Sequence, residues 1–479
     1  MSKNMQSYTN RKQNRFQLER MQGNILVNNS GKHWMPGESS RAERIEELKR
    51  KAKKGEKKGL ADGKPGMIAG NMARYKDSGT EWIGAIPKEW EVLRLKYVSD
   101  IYAAKASLFG EWPVEKNGKP YTPKEWASGD EIIITGRVGT IGQYEMLSKN
   151  SKKKVVVNDN RLLIEPYRDK VLSHFLFWAV AIINLNDIIL GSAVPLITAT
   201  KLLNKKVVIP SLPEQQRIAD FLDTKCGILD RTIDAVSRQI EDLEKYKKAL
   251  ITKTVTKGIC KKGETERTMK DSGVEWIGEV PEEWSMKPFK TLAGMKGSSE
   301  YTARDIVDEG EGAILLSPSN INDNKLNLSK RTYISQKKYD KSTTKIQRGD
   351  LLFTKTASVG KCVIYDSDEP AMPNPQLVVL KNIKCLPKFL YYSMVSDVMQ
   401  APAKMYVYGS VIPTISQLNL GRIKIPVPSP EEQQQIADYL DEKCKNIDNR
   451  VQKRRQQLEW LKEYKKSLIF DYVTGKKRV

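Results

Sequence analysis

The stretch EQQRIADFLD at residues 214–223 returns as EQQQIADYLD at residues 432–441, a spacing of 218 residues. A shorter pair, GSAVP at 191–195 and GSVIP at 409–413, keeps that spacing. An internal repeat is the first feature to establish in a long chain, because it resets the domain count. Two matched motifs at one spacing indicate a chain made of two related halves.

A second pair of motifs opens each half. KDSGTEWIGAIPKEW at 76–90 returns as KDSGVEWIGEVPEEW at 270–284, a spacing of 194 residues. Between the opening and closing motifs the sequences look unrelated, and the two spacings differ by 24 residues. Each half therefore consists of an opening motif, a divergent body and a closing motif.

The closing motif begins a long amphipathic helix. Apolar residues recur at alternating steps of three and four, which is a heptad seam, and Pro213-Glu214 and Pro430-Glu431 suit helix starts. We expect the two helices to pair with each other, and an antiparallel pair would separate the bodies like a ruler. Packing of each helix on its own domain is the alternative. The seam, also a candidate partner-docking element, comprises Leu222, Leu229, Ile233, Val236, Ile240, Leu243, Leu440, Ile447, Val451, Leu458 and Leu461.

These patterns predict an α+β fold with a pseudo-twofold internal repeat, in which two mixed α/β bodies are separated by an antiparallel coiled coil. The predicted segments are a basic, disordered extension (1–71), the first body (72–212), a long helix (213–260), the second body (264–429) and a C-terminal long helix (430–479). The extension holds sixteen Lys and Arg against seven Asp and Glu. A mobile tail, or sequence upstream of a start at Met72, is favoured over an additional phosphate-binding arm.

In each body a predicted strand runs into a glycine-containing turn. EIIIT at 131–135 precedes GRVGTIG at 136–142, and GDLLFTK at 349–355 precedes TASVGK at 356–361. Glycine permits a close backbone approach, and a basic or hydroxyl side chain there could reach a phosphate or a base edge; a simple hairpin turn is the alternative. The candidate DNA contacts are Arg137, Gly139, Thr140, Lys355, Thr356, Ser358 and Lys361.

Several other residues favour structural roles. The tryptophan pairs of the opening motifs could stack on bases, but their setting favours a strap folded onto the body. His174, in an apolar run, is interpreted as a core residue, and the seam cysteines as small core hydrophobes. These residues are Trp82, Trp90, Trp276, Trp284, His174, Cys226 and Cys444.

The composition indicates a polyanionic partner. The 479 residues include 81 Lys and Arg against 58 Asp and Glu, a net charge of +23. Five cysteines without a CxxC, and only two histidines, disfavour disulfide frameworks and metal sites. No apolar run is long enough to span a membrane and no signal-peptide core is present, so we expect a cytoplasmic protein.

Motifs of known catalysts are missing. The sequence has no GxxxxGK[ST] phosphate loop, no GxSxG and no HExxH, and the nearest fragment to an adenine-methyltransferase motif, NPQL at 374–377, lacks the second proline and the aromatic residue. We therefore expect no catalytic and no metal-binding residues. A DNA-cleaving enzyme with an unrecognised site and a coiled-coil scaffold for acidic proteins are the alternatives.

The assembly resembles the specificity subunit of type I restriction–modification systems over essentially all of 72–479. The opening YKDSG…WIG at 75–84, its copy at 270–278, and the closing motifs at 210–223 and 428–441 carry the resemblance. It implies that each body recognises one half of a split double-stranded DNA site. It also implies that the helices set the spacer and dock two methyltransferase and two restriction subunits. Those partners would use S-adenosylmethionine, ATP and Mg²⁺, with no cofactor bound by this chain.

Overall fold

The structure of the chain is a computed structural model. It describes residues 74–479 apart from 104–113, 117–118, 122–130, 139–140, 149–159, 191–194, 260–266, 299 and 410. The basic extension at 1–71 and the candidate contacts Gly139 and Thr140 lie outside the described residues. The chain divides into two units, Met1–Tyr75 and Lys76–Val479. Apart from Tyr75 at the start of the first strand, every element below belongs to the larger unit.

The first body is built on a four-stranded antiparallel sheet that packs against a helix. Its elements are β1 (Tyr75–Asp77), β2 (Ala85–Pro87), β3 (Glu91–Arg94), a 3-10 turn (Leu95–Tyr97), β4 (Ser99–Ala103), β5 (Val114–Lys116), β6 (Lys119–Tyr121), β7 (Glu131–Gly136), β8 (Tyr144–Ser148), β9 (Arg161–Pro166), α1 (Ser173–Ala181), α2 (Ala199–Leu203) and β10 (Lys206–Ile209). The sheet has the order β4-β9-β7-β8. Ile133, Leu162 and Ile164 of the sheet pack with Phe175 and Leu176 of α1 in one buried core.

A long helix, α3 (Leu212–Lys257), connects the first body to the second. The second body contains β11 (Met269–Asp271), β12 (Glu279–Pro281), β13 (Ser285–Pro288), α4 (Phe289–Leu292), β14 (Gly294–Lys296), a 3-10 turn (Ala303–Asp305), β15 (Ile306–Val307), β16 (Gly312–Leu316), a 3-10 turn (Pro318–Asn320), β17 (Ile321–Asn322), β18 (Lys325–Leu326), β19 (Tyr333–Ser335), α5 (Gln336–Lys341), β20 (Leu351–Thr354), β21 (Cys362–Ile364), β22 (Ala371–Pro373), β23 (Leu377–Lys381), α6 (Pro387–Val395), α7 (Asp397–Met405), α8 (Gln417–Arg422) and β24 (Lys424–Val427). The chain then enters the second long helix, α9 (Pro430–Val473).

The two bodies share one sheet topology although their sequences look unrelated. The sheet β14-β23-β20-β21 of the second body has the same strand order as β4-β9-β7-β8 of the first, and β13 pairs with β24 as β3 pairs with β10. The second body also has a sheet of order β15-β19-β16-β22. In the chain, β15, β16 and β19 lie between the opening motif and β20, whereas β22 follows β21. The 24-residue difference in repeat spacing falls in that part of the chain.

The long helices pair antiparallel over their whole length. Three interhelical ion pairs follow α3 and α9 in opposite directions: Lys247–Asp448 at 2.6 Å, Arg455–Glu244 at 2.8 Å and Lys465–Asp230 at 2.6 Å. Val236, Ile240, Ile447, Val451 and Leu461 form the buried middle of the seam, and the partly buried Leu229, Ile233, Leu243 and Leu458 pack against it. The predicted α+β fold with two bodies and an antiparallel coiled coil is confirmed.

The ends of the seam merge with the cores of the bodies. Leu222 of α3 packs with Leu468 and Val473 of α9 in the first core, whereas Leu440 of α9 packs with Val255 of α3 in the second. Cys226 and Cys444 are buried there as predicted, and burial raises the pKa of each thiol to about 11. The seam side chains therefore stabilise the helix pair, and a partner docking on it would contact its outer faces.

Each long helix ends a few residues earlier than the segments predicted at 213–260 and 430–479. The backbone has a positive φ at Gly258 (77°) and at Gly475 (70°), directly after the last turn of each helix. A positive φ favours glycine and does not continue a right-handed helix. Lys257 and Val473 are consequently the last helical residues.

Candidate nucleic-acid interface

The closing motif attaches the first body to its helix. Glu214 accepts a hydrogen bond from Trp90 Nε1 of the opening motif at 2.9 Å. Gln215 is completely buried; its oxygen accepts from Leu172 N at 2.8 Å and its nitrogen donates to Pro210 O at 2.9 Å. A buried amide needs such partners because leaving it unpaired is costly. Glutamate and glutamine therefore have distinct tasks in the motif.

The second body repeats this arrangement. Trp284 Nε1 donates to Glu432 at 2.8 Å, and Gln433 accepts from Leu386 N at 2.8 Å and donates to Pro428 O at 2.9 Å. Trp90 and Trp284 are buried, which confirms the predicted strap for these two residues, whereas Trp82 is partly buried and Trp276 is 37% exposed. The recurring motifs thus contain the residues that fix each body to the antiparallel helix pair, called the rod below.

An aspartate on each long helix accepts a hydrogen bond from a nine-residue helix of the adjacent body, α1 in the first and α6 in the second. Asp223 accepts from Trp178 Nε1 at 2.7 Å and lies 2.6 Å from His174 Nδ1, and the His174 side chain is 45% exposed. The interpretation of His174 as a core residue was wrong, because this side of α1 faces the polar side of α3. In the second body Asp441 accepts a hydrogen bond from Tyr392 OH at 2.6 Å. Burial, and to a smaller extent this hydrogen bond, raises the pKa of Tyr392.

The glycine-containing turns occupy the same place in both bodies. Each connects the two strands of a hairpin, β7–β8 or β20–β21, and each pairs with the segment that follows the GSxxP motif. Ile197 N donates to Arg137 O at 3.0 Å, and Ile415 N donates to Lys355 O at 2.9 Å. Matching isolated bridges are Val138–Leu196 and Leu190–Leu196 in the first body, and Thr356–Thr414 and Tyr408–Thr414 in the second.

These contacts extend the 218-residue register into the bodies. Arg137 corresponds to Lys355, a basic residue at the base of each turn, and Gly142 corresponds to Gly360. Both glycines have positive φ, 79° and 104°. By the same register the undescribed Thr140 corresponds to Ser358. The signal was present in the sequence as a weak match, GRVGTIG against TKTASVG, at the spacing of the closing motif.

The remaining candidates in the second turn differ in what they offer to a ligand. Lys361 Nζ donates to Ile321 O at 3.0 Å, so its ammonium group is already used in holding the β17–β18 hairpin. Ser358 is half-buried, and its carbonyl accepts from Thr354 Oγ1. Thr356 is half-buried and its backbone pairs with Thr414. Lys355 is therefore the basic side chain of this turn for which the structure gives no competing side-chain bond among the described contacts.

Sequence comparison assigns the chain to a family. The model for the type I restriction modification DNA specificity domain matches it twice, at residues 87–245 and 281–459. The chain belongs to this family. Each specificity domain comprises one body and most of the long helix that follows it, so the family unit is the repeat unit. The chain is accordingly a DNA sequence-recognition protein.

Several relatives are similar along most of their length. The MjaVIII specificity subunit of a type I restriction enzyme from Methanocaldococcus jannaschii is 24% identical, with 82% of this chain and 94% of the relative covered. The putative MjaX specificity subunit from that organism is 27% identical, with 83% and 96% covered. A chain from a structural study of type I R-M system assembly and conformational transition has a TM-score of 0.57 at 15% identity, with 82% of this chain and 99% of that chain covered.

A cleft of about 1030 Å³ separates the second specificity domain's body from the helix pair. The β17–β18 hairpin lines it, and Lys325 lies 3.1 Å from Asp448 of α9, which also binds Lys247 of α3. Burial raises the pKa of Asp448, but the hydrogen bonds from the two lysines outweigh it, so the pKa is lowered overall. The cleft is thus an ion-paired joint between body and rod.

The outer face of the helix pair carries aromatic residues in repeat register. LEKYKKALI at 243–251 matches LKEYKKSLI at 461–469, and the tyrosines of both, Tyr246 and Tyr464, are exposed. Trp460 stacks on Tyr464 with a centroid distance of 5.4 Å and an interplanar angle of 6°. The helix pair therefore presents Tyr246 and Tyr464 to solvent at equivalent positions of the repeat.

The described residues contain neither a cluster of metal-ligating side chains nor a membrane-spanning helix. Within 74–479 and outside the gaps, no group of three or more His, Cys, Asp or Glu side chains could hold a metal ion. No helix in the same residues has the length and hydrophobicity needed to cross a membrane.

Proposed function

We propose that this chain is the specificity subunit that directs a type I restriction–modification complex to a bipartite DNA site. Each body recognises one half-site, and the helix pair fixes the distance between them. The observation that supports this most directly is the placement of two topologically equivalent bodies, each with a basic residue at an equivalent turn, at opposite ends of one antiparallel helix pair.

The length of the rod is compatible with reading DNA at two separated places. From Cys226, where the seam meets the first core, to Ile251, where it meets the second, the helix extends for about 38 Å at about 1.5 Å per residue. One turn of B-DNA is about 34–36 Å. The two bodies are thus separated by a distance close to one turn, which would let both approach the same side of a duplex.

Mapping of methylated positions in the genome tests this function. We expect a motif with two specified halves separated by a fixed number of unspecified base pairs, and binding of the full chain with its methyltransferase partner to that motif. A single unsplit motif would contradict the proposal. Cleavage of DNA by the purified chain alone with a divalent metal would instead support a self-sufficient enzyme.

The proposed division of labour leaves catalysis to partner subunits. Two methyltransferase subunits would bind S-adenosylmethionine and methylate adenine, and two restriction subunits would use ATP and Mg²⁺ to translocate and cleave unmethylated DNA. This chain would bind none of these cofactors. The repeat supports two copies of a partner, because a pseudo-twofold surface offers the same docking site twice.

Tyr246 and Tyr464 are the predicted centres of those two docking sites. Exposed aromatic residues are frequent hot spots, and truncating one typically costs 2 kcal/mol or more of binding free energy. We expect Tyr246→Ala and Tyr464→Ala each to reduce the methyltransferase stoichiometry from two to one in native mass spectrometry. Ile228→Ala is the matched control, since Ile228 is exposed on α3 but corresponds to Asn446 in the second half. Two copies bound to both tyrosine variants would exclude this docking site.

Arg137 and Lys355 are predicted to contact phosphate groups. Both bodies place a cation at this position although they would read different sequences, and the backbone is the DNA feature that different half-sites share. Arg137→Gln or Lys355→Gln should weaken binding severalfold, reduce the slope of log affinity against log salt by about 1, and leave base preference unchanged.

Lys361→Gln is the control for Lys355→Gln, because it removes the same charge from the same turn but from an ammonium bonded to Ile321 O. We expect its salt slope to match that of the unmodified chain. A changed preference at one base pair in Lys355→Gln would instead indicate direct base readout.

A further inference from the structure

The β17–β18 hairpin of the second body ends in a tight two-residue turn. Asp323 and Asn324 both have a positive φ, 49° and 57°, as the central residues of a type I′ turn do. Aspartate and asparagine tolerate this conformation better than most residues. The strands on either side pair in register, with Asn322 opposite Lys325. The tip of the hairpin therefore has a defined backbone.

The second body holds this hairpin from one side. Asn324 Oδ1 accepts a hydrogen bond from Cys362 N at 3.0 Å, and Asn324 O accepts one from Tyr391 OH at 3.3 Å. Lys361 Nζ donates to Ile321 O at 3.0 Å. These donors belong to β21, to α6 and to the second glycine-containing turn, so the hairpin is part of the body and moves with it.

The rod contacts the same hairpin from the other side. Lys325 Nζ lies 3.1 Å from Asp448 Oδ2 of α9, and Asp323 Oδ2 lies 3.6 Å from Arg455 Nη1 of α9. The hairpin thus presents one cation and one anion to a complementary pair on the helix. Such a pattern favours one position of the hairpin, because a shift along α9 would bring like charges together.

The lysine of the hairpin is an addition to an interhelical ion pair. Lys247 of α3 binds Asp448 at 2.6 Å. Lys465 and Asp230 form the equivalent pair by the 218-residue register, also at 2.6 Å. The two long helices are therefore joined in the same way at both places. Since the pair is complete without Lys325, the contact of this lysine serves to connect the body with the rod.

This connection is a second point of attachment for the body, distant from the first. The closing motif holds the body at Gln433, and α6 binds the rod at Asp441. Asp448 and Arg455 lie about 10 and 21 Å farther along α9 than Asp441, at about 1.5 Å per residue. A body attached at one place can tilt about it, and the cleft beside the hairpin leaves room for that motion. Attachment at two separated places restricts the tilt.

We propose that the β17–β18 hairpin is a clamp that fixes the orientation of the second body on the rod, so that Lys325 and Asp323 set how strictly the spacing of the two half-sites is enforced. This inference rests on the proposed function. One base pair more or less in the spacer moves a half-site by about 3.4 Å along the duplex. A body that tilts can follow such a shift, whereas a clamped body cannot. Both side chains are positioning residues, because they act through the orientation of the body.

A charge-neutral double variant tests the clamp. Lys325→Gln/Asp323→Asn removes both contacts with α9 and leaves the net charge of the chain unchanged. It retains the interhelical Lys247–Asp448 pair, and asparagine accepts the positive φ of residue 323. Affinity is measured for the full chain with its methyltransferase partner on the natural site and on sites with one base pair added or removed. We expect the ratio of these affinities to fall about fivefold, the upper range for an ion pair between partly exposed groups.

Raising the salt concentration should have the same effect on the unmodified chain. Screening weakens ion pairs between exposed groups, so its preference for the natural spacer should decline with salt. The preference of the double variant should stay nearly constant. Taking the ratio of two sites cancels the salt dependence of the phosphate contacts that both sites share. Lys325→Arg, which retains the charge, should keep the preference of the unmodified chain.

Lys330→Gln/Asp308→Asn is the matched control. Both residues are exposed in the same body, and this double substitution also leaves the net charge unchanged. Its spacer preference should equal that of the unmodified chain, and the two double variants should unfold at similar denaturant concentrations. An unchanged preference in Lys325→Gln/Asp323→Asn, an equal loss in the control, or a changed base preference within the second half-site would each overturn the inference.

The same measurements separate the clamp from the proposed function. An unmodified chain that binds no bipartite site, or that binds one without any preference for spacer length, would contradict the proposed function itself. A spacer preference that is present in the unmodified chain and intact in Lys325→Gln/Asp323→Asn would contradict the clamp alone.

Discussion

Replacing residues 72–212 with the corresponding body of another family member should change one half of the recognised site and leave the other half and the spacer unchanged. Specific sites are bound about 10³ to 10⁷ times more tightly than nonspecific DNA. Losing the contacts to one half should therefore lower affinity for the original site by on the order of a thousandfold. Affinity for a panel of hybrid sites, or the methylome of a strain carrying the chimera, measures the effect.

The attachment geometry explains why such an exchange should be tolerated. The first body is fixed to α3 by Trp90 on Glu214 and by the start of α1 on Gln215, and both acceptors belong to the closing motif. A donor body that carries the same opening motif would find the same acceptors. Exchange of 264–429 is the matched experiment and should alter the opposite half. A chimera that changes both halves, or the spacer, would show that the bodies do not read independently.

Trp284→Ala should destabilise the protein by about 3–5 kcal/mol, the usual cost of removing a large aromatic side chain from a core. Trp284 is 1% exposed and shares a core with Val255 of α3 and Ile436 of α9, so its loss opens a cavity where the body and both helices meet. It also removes the hydrogen bond to Glu432. Denaturant unfolding of the full chain, followed by fluorescence and circular dichroism, measures the change.

Trp276 in the same opening motif provides the control. It is 37% exposed, and Trp276→Ala should cost much less, as substitutions at partly exposed positions generally do. Equal destabilisation by the two variants would contradict the strap role of Trp284 and would indicate that Trp276 also holds the body in place.

The sequence predicted the helices well because a heptad pattern directly reflects helical geometry. The heptad pattern by itself is compatible with either polarity, since Val236, Ile240 and their counterparts fit a seam in either direction. Polarity is set at the ends, where Leu468 and Val473 complete the first core and Val255 the second. The bodies impose it, and heptad spacing contains no information about them.

Local chemistry predicts the two candidate turns but does not reveal that they are equivalent. Glycine, a cation and a hydroxyl recur at the closing-motif spacing, whereas the 24 additional residues of the second body disrupt any alignment that begins at the opening motif. The prediction of His174 as a core residue is wrong for a different reason. Its neighbours are apolar because α1 is largely buried, and only the packing of α1 on α3 reveals that one side meets Asp223.

Each opening motif contacts the end of the long helix that belongs to the other half, and this has a consequence for the order of the two halves along the chain. The opening motif of the first half lies against the end of α9, where Lys476 Nζ donates to Ile83 O at 2.8 Å and Arg478 pairs with Glu89. The opening motif of the second half meets the end of α3, where Lys257 Nζ donates to Glu279 O at 3.2 Å. The two contacts between an opening motif and a helix end are therefore equivalent, and the end of the second half lies beside the start of the first. In a circular permutant, Val479 would be joined to the start of the first opening motif and the chain would be opened within 260–266. The same contacts would then form with the halves in reverse order. Which half is translated first therefore has no bearing on the surface that meets the DNA.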